Sequence, residues 1–523
     1  MFVRFVLALA LIIAAPFAHA QTNRAGTNTR YLTLQECIDL ALSKNLDVQI
    51  QRVSTDIANY TFTSAFGAYD PSLSIFGRRD FLSQPLELDV KKTGLDAPYK
   101  LTTDSVGGGL NGKLPIGLSY QIGARAAEAK AITDFRFNTN LFPEFGFTNN
   151  PTTNFPGGFR RTNEFFANAG FTVQQHLLRD AWIDQERTLI HVRRKELKMS
   201  EQAMMFQIMR TVLAVEVAYY DLVAARELVR VEEKALELKD QFVAETRRRV
   251  EVGDLPPLDS EQAETQLETT RTALIAAREA WVSRQNALKF LITDDFRELV
   301  DIDLQPAHDL TATERRLIRS ESFKSALSQR PDLAEARLAI ERSDVEVRFY
   351  KNQLFPNLDL FGHYGGVGIH SDGSSAVSDA LHFRDQEYYY GVVLTVPLAR
   401  IRERSDYAAS KARRELAELQ LKKAEQQVFL QIADLVNRVQ SRFSQVGSTR
   451  KARVYAEAAL AAEQKKLQNG LTTSFIVLQL QEILTGARTA EIQALADYNE
   501  MLAQLAFAEG ATMQQHRLEF RWR

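Results

Sequence analysis

The residue types that carry catalysis are scattered along this chain of 523 residues. Its eight histidines and single cysteine form no His-Glu-x-x-His metal motif, no cysteine pair, no Gly-x-Ser-x-Gly turn and no phosphate-binding loop. His363 and His370 lie near Asp372 and could suggest a metal site, but their Gly-rich surroundings favour solvated polar residues. Most carboxylates share helical stretches with Lys and Arg, as solvated charged faces do. The sequence therefore predicts no enzyme, no cofactor and no metal site.

The N-terminus and the overall charge limit the possible partners. Arg4, the apolar run of residues 5–17 and Ala18-His19-Ala20 predict a signal peptide at residues 1–20, so we expect an exported protein. The formal charge of −2 becomes about −3 without Arg4, which argues against nucleic acid as a partner. Cys37 has no second cysteine to pair with, and we expect it to be a small apolar residue of the first helix.

An internal duplication organises the rest of the chain. Residues 36–77 recur as residues 321–362 at a constant offset of 285, with ten identities that include Asp47 with Asp332 and Pro71 with Pro356. Each copy predicts short helices, at 33–66 and 320–355, followed by a change to extended chain at the proline. Two copies of one module are therefore expected, a first repeat at 21–292 and a second at 320–510.

Alternating apolar and polar residues predict strands at 71–175 and at 356–397, with a polar turn from Ser371 to Ser378. The clearest alternation places Ile116, Leu118, Tyr120, Ile122 and Ala124 on one face. Long alternating strands of this kind are typical of an outer-membrane β-barrel, and a β-sandwich of a soluble protein is the alternative. The first strand region is much longer than the second, which leaves four or six strands per chain as the two possibilities.

Long helical hairpins are predicted at 176–292 and 399–508. In the first, apolar residues fall seven apart, a period that indicates a supercoiled seam against a neighbouring helix; they are Ile208, Val215, Leu222, Val229, Leu236, Val243 and Val250. The hairpins turn at Gly253-Asp254-Leu255 and at Gly470-Leu471-Thr472, where each glycine is expected to cap the preceding helix. A polar linker at 293–319 joins the repeats, and a charged tail follows at 511–523.

These motifs resemble the TolC-like outer-membrane efflux protein family. The resemblance rests on the opening Leu32-Thr-Leu-Gln-Glu36 with Ala41-Leu42, on its echo at Ala326-Leu327 and Arg330-Pro331-Asp332, and on the two hairpin tips. It implies a mainly α fold with membrane β-structure, in which two repeats each contribute strands and a coiled-coil hairpin. It further implies a homotrimer in which a β-barrel in the bacterial outer membrane continues into an α-helical barrel, with a large periplasmic portion.

The resemblance also implies a function. Such proteins are passive exit ducts for efflux or type I secretion, which dock onto a periplasmic adaptor protein and an inner-membrane pump and contact outer-membrane lipid. The tip residues Gly253, Asp254, Leu255, Gly470, Leu471 and Thr472 correspond to the family's adaptor-docking positions. The family narrows its tunnel near the tips with acidic residues; Asp259 matches that pattern, whereas Ile476 and Gln479 stand at the equivalent places of the second repeat.

Two points remain open at the level of the sequence. Extra strands in the first repeat would raise the count in a trimer from about twelve to about eighteen. The alternative function is a soluble periplasmic coiled-coil adaptor or structural protein, which would also contain helical hairpins but would not need strand pairs before both of them.

Overall fold

The computed structural model describes residues 28–84, 99–135, 158–253 and 255–518. The expected signal peptide at residues 1–20, the tip residue Asp254 and the end of the expected tail at 519–523 lie outside the described residues. Within these limits, no helix combines the length and the apolar character that crossing a membrane requires.

Long helices and one large sheet dominate the described elements. In chain order they are β1 (Asn28–Leu32), α1 (Leu34–Lys44), α2 (Leu46–Ser64), β2 (Ser72–Gln84), β3 (Tyr99–Lys113), β4 (Leu118–Phe135), β5 (Gly158–His176), α3 (Gln185–Glu251), α4 (Pro257–Ile292), β6 (Ile302–Pro306), α5 (Arg319–Gln329), α6 (Pro331–Asn352), β7 (Asn357–His370), α7 (Gly373–Leu381), β8 (Asp385–Thr395), α8 (Ile401–Gln468), α9 (Ser474–Glu509) and α10 (Thr512–Gln515).

The duplication of the sequence is also a duplication of structure. Helices α1 and α5, helices α2 and α6, and strands β2 and β7 each begin at the sequence offset of 285 residues. The long helices α3 and α8 contain 67 and 68 residues, and their return helices α4 and α9 contain 36 residues each. Among the described residues, the first repeat contributes four strands to the large sheet and the second contributes two, so this sheet has six strands.

Side-chain caps fix where the short helices begin and end. At the start of α1, Thr33 and Glu36 form a capping box, in which the Thr33 backbone N–H donates to Glu36 Oε2 at 2.8 Å. Asn45 separates α1 from α2 because its Oδ1 accepts from the backbone N–H of Asp47 at 2.9 Å. The Asn45 Nδ2 group donates to the Leu291 carbonyl at 3.0 Å, which ties this break to the end of α4.

The chain divides into two compact units, and the first comprises residues 1–49, 208–323 and 431–523. Its core includes the seven-residue series of α3, in which Ile208, Val215 and Leu222 are buried. Strands β1 and β6 form a small parallel pair. The segment expected as a linker, residues 293–319, is held by long polar side chains: Arg226 donates to the Pro306 carbonyl at 2.7 Å, and Tyr498 donates to the Thr313 carbonyl at 2.6 Å.

The second unit, residues 50–207 and 324–430, contains the large sheet. The sheet is antiparallel throughout, in the order β2-β3-β4-β5-β7-β8. A line of glycines crosses four neighbouring strands in direct register, namely Gly109, Gly123, Gly170 and Gly365. A Cβ atom at Gly170 would lie 2.7 Å from the Tyr364 carbonyl oxygen, so the strands approach each other there more closely than a side chain permits.

The prediction of a polar turn from Ser371 to Ser378 is wrong, because this segment forms helix α7. The Asp372 side chain caps the helix by accepting from the backbone N–H groups of Ser374 and Ser375. Ala376 and Ala380 then pack against Ala167 of β5 in a small apolar cluster. A helix this short is marginal alone, so packing against the sheet stabilises a segment whose serines and glycine suggested a turn.

Candidate functional site

The two faces of the large sheet differ in polarity. One row in direct register crosses all six strands and contains only large apolar or aromatic side chains: Leu73, Leu110, Ile122, Phe171, Tyr364 and Tyr388. All six are exposed, by 36% to 72%. On the same face, β8 continues the pattern with the exposed Tyr390, Val392 and Leu394. We call this side of the sheet the apolar face.

The opposite side of the sheet, the polar face, carries a row with polar groups on every strand: Ser72, Asn111, Gln121, Thr172, His363 and Tyr389. Because successive side chains of a strand point to opposite faces, these rows alternate with the apolar ones. Thr172 and His363 hydrogen-bond to each other at 2.9 Å across β5 and β7, and the Tyr389 ring stacks on the His363 ring. One sheet therefore presents a surface suited to lipid and a surface suited to water.

The histidines considered as metal ligands lie on different faces. His363 is on the polar face, whereas His370 contacts Asp379 of α7 on the apolar face, and Asp372 caps α7. The described residues contain no group of three or more His, Cys, Asp or Glu side chains arranged to hold a metal ion.

The second hairpin tip contains the predicted glycine cap. Gly470 has φ of +71°, its N–H donates to the Leu467 carbonyl at 3.0 Å, and the Leu471 N–H donates to the Lys466 carbonyl at 2.9 Å. These two bonds are those of a Schellman motif, in which a left-handed residue closes the end of the helix. Thr472 then bonds to Glu463 of α8, and this hydroxyl, together with the Lys466 ammonium, lowers the pKa of the Glu463 carboxyl.

The first hairpin tip also ends its long helix at a left-handed glycine. Gly253 has φ of +87°, and its N–H donates to the Val250 carbonyl at 3.1 Å. Leu255 is half-buried, and Pro257 begins α4 at the position where a missing N–H has no cost. A Cβ atom at either Gly253 or Gly470 would meet nothing within 4 Å, so both glycines lie on open surface.

Exposed apolar side chains flank both glycines; Leu471 is one of the tip residues expected from the sequence, whereas the other three were not expected. Val252 is 74% exposed beside Gly253, and Leu471 is 75% exposed beside Gly470. Leu258 and Phe475, in the first turns of the return helices, are exposed as well. The sequence does contain a signal for these surface residues: an apolar residue stands directly beside a capping glycine, where a solvated turn would carry polar residues.

The two hairpins pack together near their tips. Leu478 of α9 lies in an apolar cluster with Val243 of α3 and with Ala263 and Leu267 of α4. Phe242 packs against this cluster and also against a second one, formed between α8 and α9. The N-terminal parts of α4 and α9 therefore lie beside each other. Their first turns carry the candidate gate residues: Asp259 is half-buried at the start of α4, and Ile476 and Gln479 are exposed on α9.

The long helix α3 contains two basic runs, Arg193-Arg194-Lys195 and Arg247-Arg248-Arg249, which pair with acidic neighbours. Arg247 contacts Glu264 of α4 at 2.7 Å, and Arg249 contacts Glu245 at 2.8 Å. The Arg247 guanidinium lowers the pKa of the Glu264 carboxyl. Within the other run, Arg193 contacts Glu196 at 2.7 Å. These runs are solvated ion-pair faces of a helix, as the sequence suggested.

The described fold has two helical hairpins, each preceded by strands of one antiparallel sheet. The chain is similar to the CmeC outer membrane channel of Campylobacter jejuni, with 14% identity, a TM-score of 0.65 and coverage of 97% of this chain and 94% of that one. It is similar to the outer membrane protein VceC of Vibrio cholerae, with 16% identity, a TM-score of 0.62 and coverage of 91% and 96%. It is also similar to the open state of the MtrE outer membrane channel of Neisseria gonorrhoeae, with 14% identity, a TM-score of 0.62 and coverage of 94% of each chain.

The model of the outer membrane efflux protein family matches residues 182–293 and 323–511, and the chain belongs to this family. Among curated proteins, none matches the sequence. The expected family and the fold class, that of trimeric channels with a β-barrel and an α-helical barrel, are confirmed. The chain is an outer-membrane efflux channel protein and no enzyme. The family match begins at residue 182, after strands β2–β5.

Proposed function

We propose that this chain is one subunit of a homotrimeric exit duct, in which three six-stranded sheets close one barrel of about eighteen strands. The apolar face contacts the lipid of the outer membrane, and the polar face lines the passage. The passage carries its cargo passively, so the protein supplies a continuous polar path and does no chemistry.

One observation carries this proposal. The row from Leu73 to Tyr388 exposes six large apolar side chains across the full width of the sheet, and the row from Ser72 to Tyr389 presents polar groups on the other side. Exposed apolar patches of this extent mark contact with a membrane or a partner. A soluble adaptor, the alternative function, has no use for such a face.

The strand directions support closure between copies. Among the described residues, β2 pairs only with β3, and β8 pairs only with β7. With six strands alternating in direction, β8 runs opposite to β2, so β8 of one copy can pair with β2 of the next in an antiparallel ladder. Closure of the ring removes the two sheet edges, which would otherwise remain open to aggregation.

The hairpin tips are the proposed docking surface for a periplasmic adaptor protein, which links the duct to an inner-membrane pump or to a type I secretion system. The exposed Val252 and Leu471 beside Gly253 and Gly470 support this role, because an exposed apolar residue at a helical turn offers a partner surface to bury. Leu255 of the first tip and Thr472 of the second belong to the same proposed surface, and the resemblance of the sequence adds Asp254 to the docking residues.

The first turns of α4 and α9 are the proposed constriction. Three copies of Asp259 would form an acidic ring that favours cations over anions. Ile476 and Gln479 stand at the corresponding level of the second repeat, so the acidic character comes from the first repeat alone.

Cross-linking between the sheet edges tests the proposal. A chain with Ile75→Cys in β2 and Val392→Cys in β8, both exposed on the apolar face, is treated in membranes with a short thiol–thiol cross-linker. We expect covalent dimers and trimers and no larger species. A matched chain with Ile122→Cys in β4 in place of the β2 substitution should stay monomeric, because β4 is an inner strand. Monomers from both chains, or an open ladder of larger species, would overturn the proposal.

A further inference from the structure

Helix α7 lies on the apolar face of the sheet, over β5 and β7. Its Ala376 and Ala380 are almost completely buried against Ala167. Two glycines of β7 provide the floor: a Cβ atom at Gly368 would lie 2.0 Å from the Ala376 carbonyl oxygen, and one at Gly366 would lie 2.2 Å from that of Ala380. The helix therefore lies against a strip of small residues, whose lack of bulky side chains lets the helix backbone approach the sheet closely.

Polar and aromatic contacts fix the C-terminal part of this helix. Asp379 accepts from His370 at 2.5 Å and pairs with Arg384 at 3.0 Å. After the helix, the Phe383 ring stacks on the Tyr364 ring, with 5.6 Å between centroids and 13° between planes. The segment between β7 and β8 is thus a docked element of the fold rather than a loose loop.

The position of α7 coincides with a change of polarity on the sheet. Arg79, Asp104 and Glu128 form a charged row in direct register across β2, β3 and β4, which continues through Phe165 to His370. Helix α7 starts at this row, where Gly373 meets the Phe165 ring, and it ends over Gly366, two residues from Tyr364 of the apolar row. The helix therefore spans the boundary between the charged row and the apolar rows.

The surface that α7 turns away from the sheet is amphipathic. Val377 and Leu381 lie one turn apart and are 36% and 55% exposed, whereas the exposed Ser375 lies on another side of the helix, about 120° or more around the axis from both. Of the charged residues of the segment, Asp372 caps the helix, and Asp379 contacts His370 of β7 and Arg384. The exposed surface of α7 therefore has an apolar flank beside a serine flank, which is the pattern of helices that lie in a membrane interface.

We propose that α7 is an interfacial helix that contacts the outer leaflet of the outer membrane, with Val377 and Leu381 among the acyl chains and Ser375 toward water. This inference rests on the proposed function, which directs the apolar face to lipid and the long helices to the periplasm. Because α7 joins β7 to β8 at the end of the sheet away from α6 and α8, it lies at the outward end. The occupant of its apolar flank is lipid, since that flank continues the apolar rows of the same face.

Spin labels on single cysteines test this inference in proteoliposomes. Leu381→Cys or Val377→Cys reports on the apolar flank, and Ser375→Cys is the matched control on the serine flank. Ile122→Cys reports on the sheet itself. The native Cys37 does not interfere, because burial raises the pKa of its thiol to about 12 and shields it from the label. The measurement compares relaxation by oxygen, which partitions into lipid, with relaxation by a water-soluble nickel chelate.

We expect the labels at Leu381 and Val377 to be relaxed mainly by oxygen, as at Ile122, and the label at Ser375 mainly by the nickel chelate. If Ile122 is in lipid but Leu381, Val377 and Ser375 are all relaxed by nickel, α7 lies in water and the inference is wrong. Labels at Leu381 and Val377 that neither agent reaches would mean that protein covers the flank, which also overturns it. If Ile122 itself is relaxed by nickel, the proposed function fails, and the inference fails with it.

Discussion

Gly253 and Gly470 occupy equivalent positions in the two repeats, each with a left-handed backbone, φ of +87° and +71°, at the end of a long helix. In both, the glycine N–H returns to a carbonyl three residues earlier. The same solution at both tips gives two sharp turns with open surface around them, and each turn presents an exposed apolar neighbour.

Replacing Gly470 by valine should impair export more than assembly. A β-branched residue in the left-handed region costs about 1–3 kcal/mol, which would distort or fray the tip without touching the sheet. Export from intact cells is measured against the amount of protein assembled in the outer membrane. Gly447→Val is the matched control, because Gly447 lies inside α8 and a Cβ atom there would meet nothing within 4 Å. Normal export by the Gly470 variant would remove the tip from the docking proposal.

Asp259 should set the ion preference of the duct. Removing its charge with Asp259→Asn is expected to lower the preference for cations over anions of single channels in planar bilayers, since a ring of three carboxylates would disappear. Glu261→Gln removes one exposed charge two residues further along α4 and should leave the preference unchanged. Equal selectivity of wild type and the Asp259 variant would exclude the acidic constriction.

Gly368 should be required for docking of α7. Valine there cannot fit under the Ala376 carbonyl, so the helix must move, at a cost of about 1–3 kcal/mol. Hydrogen exchange of the α7 amides should become faster by about fivefold to about 150-fold, the factors that correspond to this cost. Gly362→Val is the control on the same face of β7, because the nearest atom to its Cβ, in Val173, is 3.8 Å away. Unchanged protection in the Gly368 variant would contradict the close seating of α7.

Glu500 should make stability depend on pH. Burial, reinforced by the Asp221 carboxylate, raises the pKa of Glu500 from an ordinary value of 4.5 to about 7. The folded state therefore binds more protons than the unfolded state between these two values, so stability falls as the pH rises through this range. Because Glu500 is partly exposed, solvent screening limits the expected decrease in the free energy of unfolding to about 1–2 kcal/mol.

The Glu500 prediction is checked by the thermal unfolding temperature in detergent, measured at about pH 5 and about pH 8. Glu500→Gln should flatten the dependence on pH, because the amide does not titrate. Glu279→Gln, at an exposed carboxylate of α4, should retain the wild-type slope. If the Glu500→Gln variant kept the full wild-type dependence of the unfolding temperature on pH, groups other than Glu500 would be responsible for that dependence.

The sequence predicted those features that depend on local chemistry. The capping box of Thr33 and Glu36, the break at Asn45 and the glycine caps at 253 and 470 are each encoded within a few residues, and each is present. The seven-residue series of α3 predicted a seam, and its residues from Ile208 to Leu222 are buried.

Features that depend on distant partners were beyond prediction from the sequence. Helix α7 looked like a turn because its stability comes from Ala167 and from the glycines of β7, which lie apart from it in the chain. The strand count needed pairing information, since β2 and β3 alternate only weakly. The apolar row from Leu73 to Tyr388 exists only through the register of six strands, and no single strand reveals it.

The mass of the assembly purified from the outer membrane in detergent tests the central claim most directly, since the account requires identical subunits to close one barrel. Native mass spectrometry should find three copies of the mature chain, and removal of detergent should cause aggregation. A folded single chain that stays monomeric and dissolved in plain buffer would contradict the account.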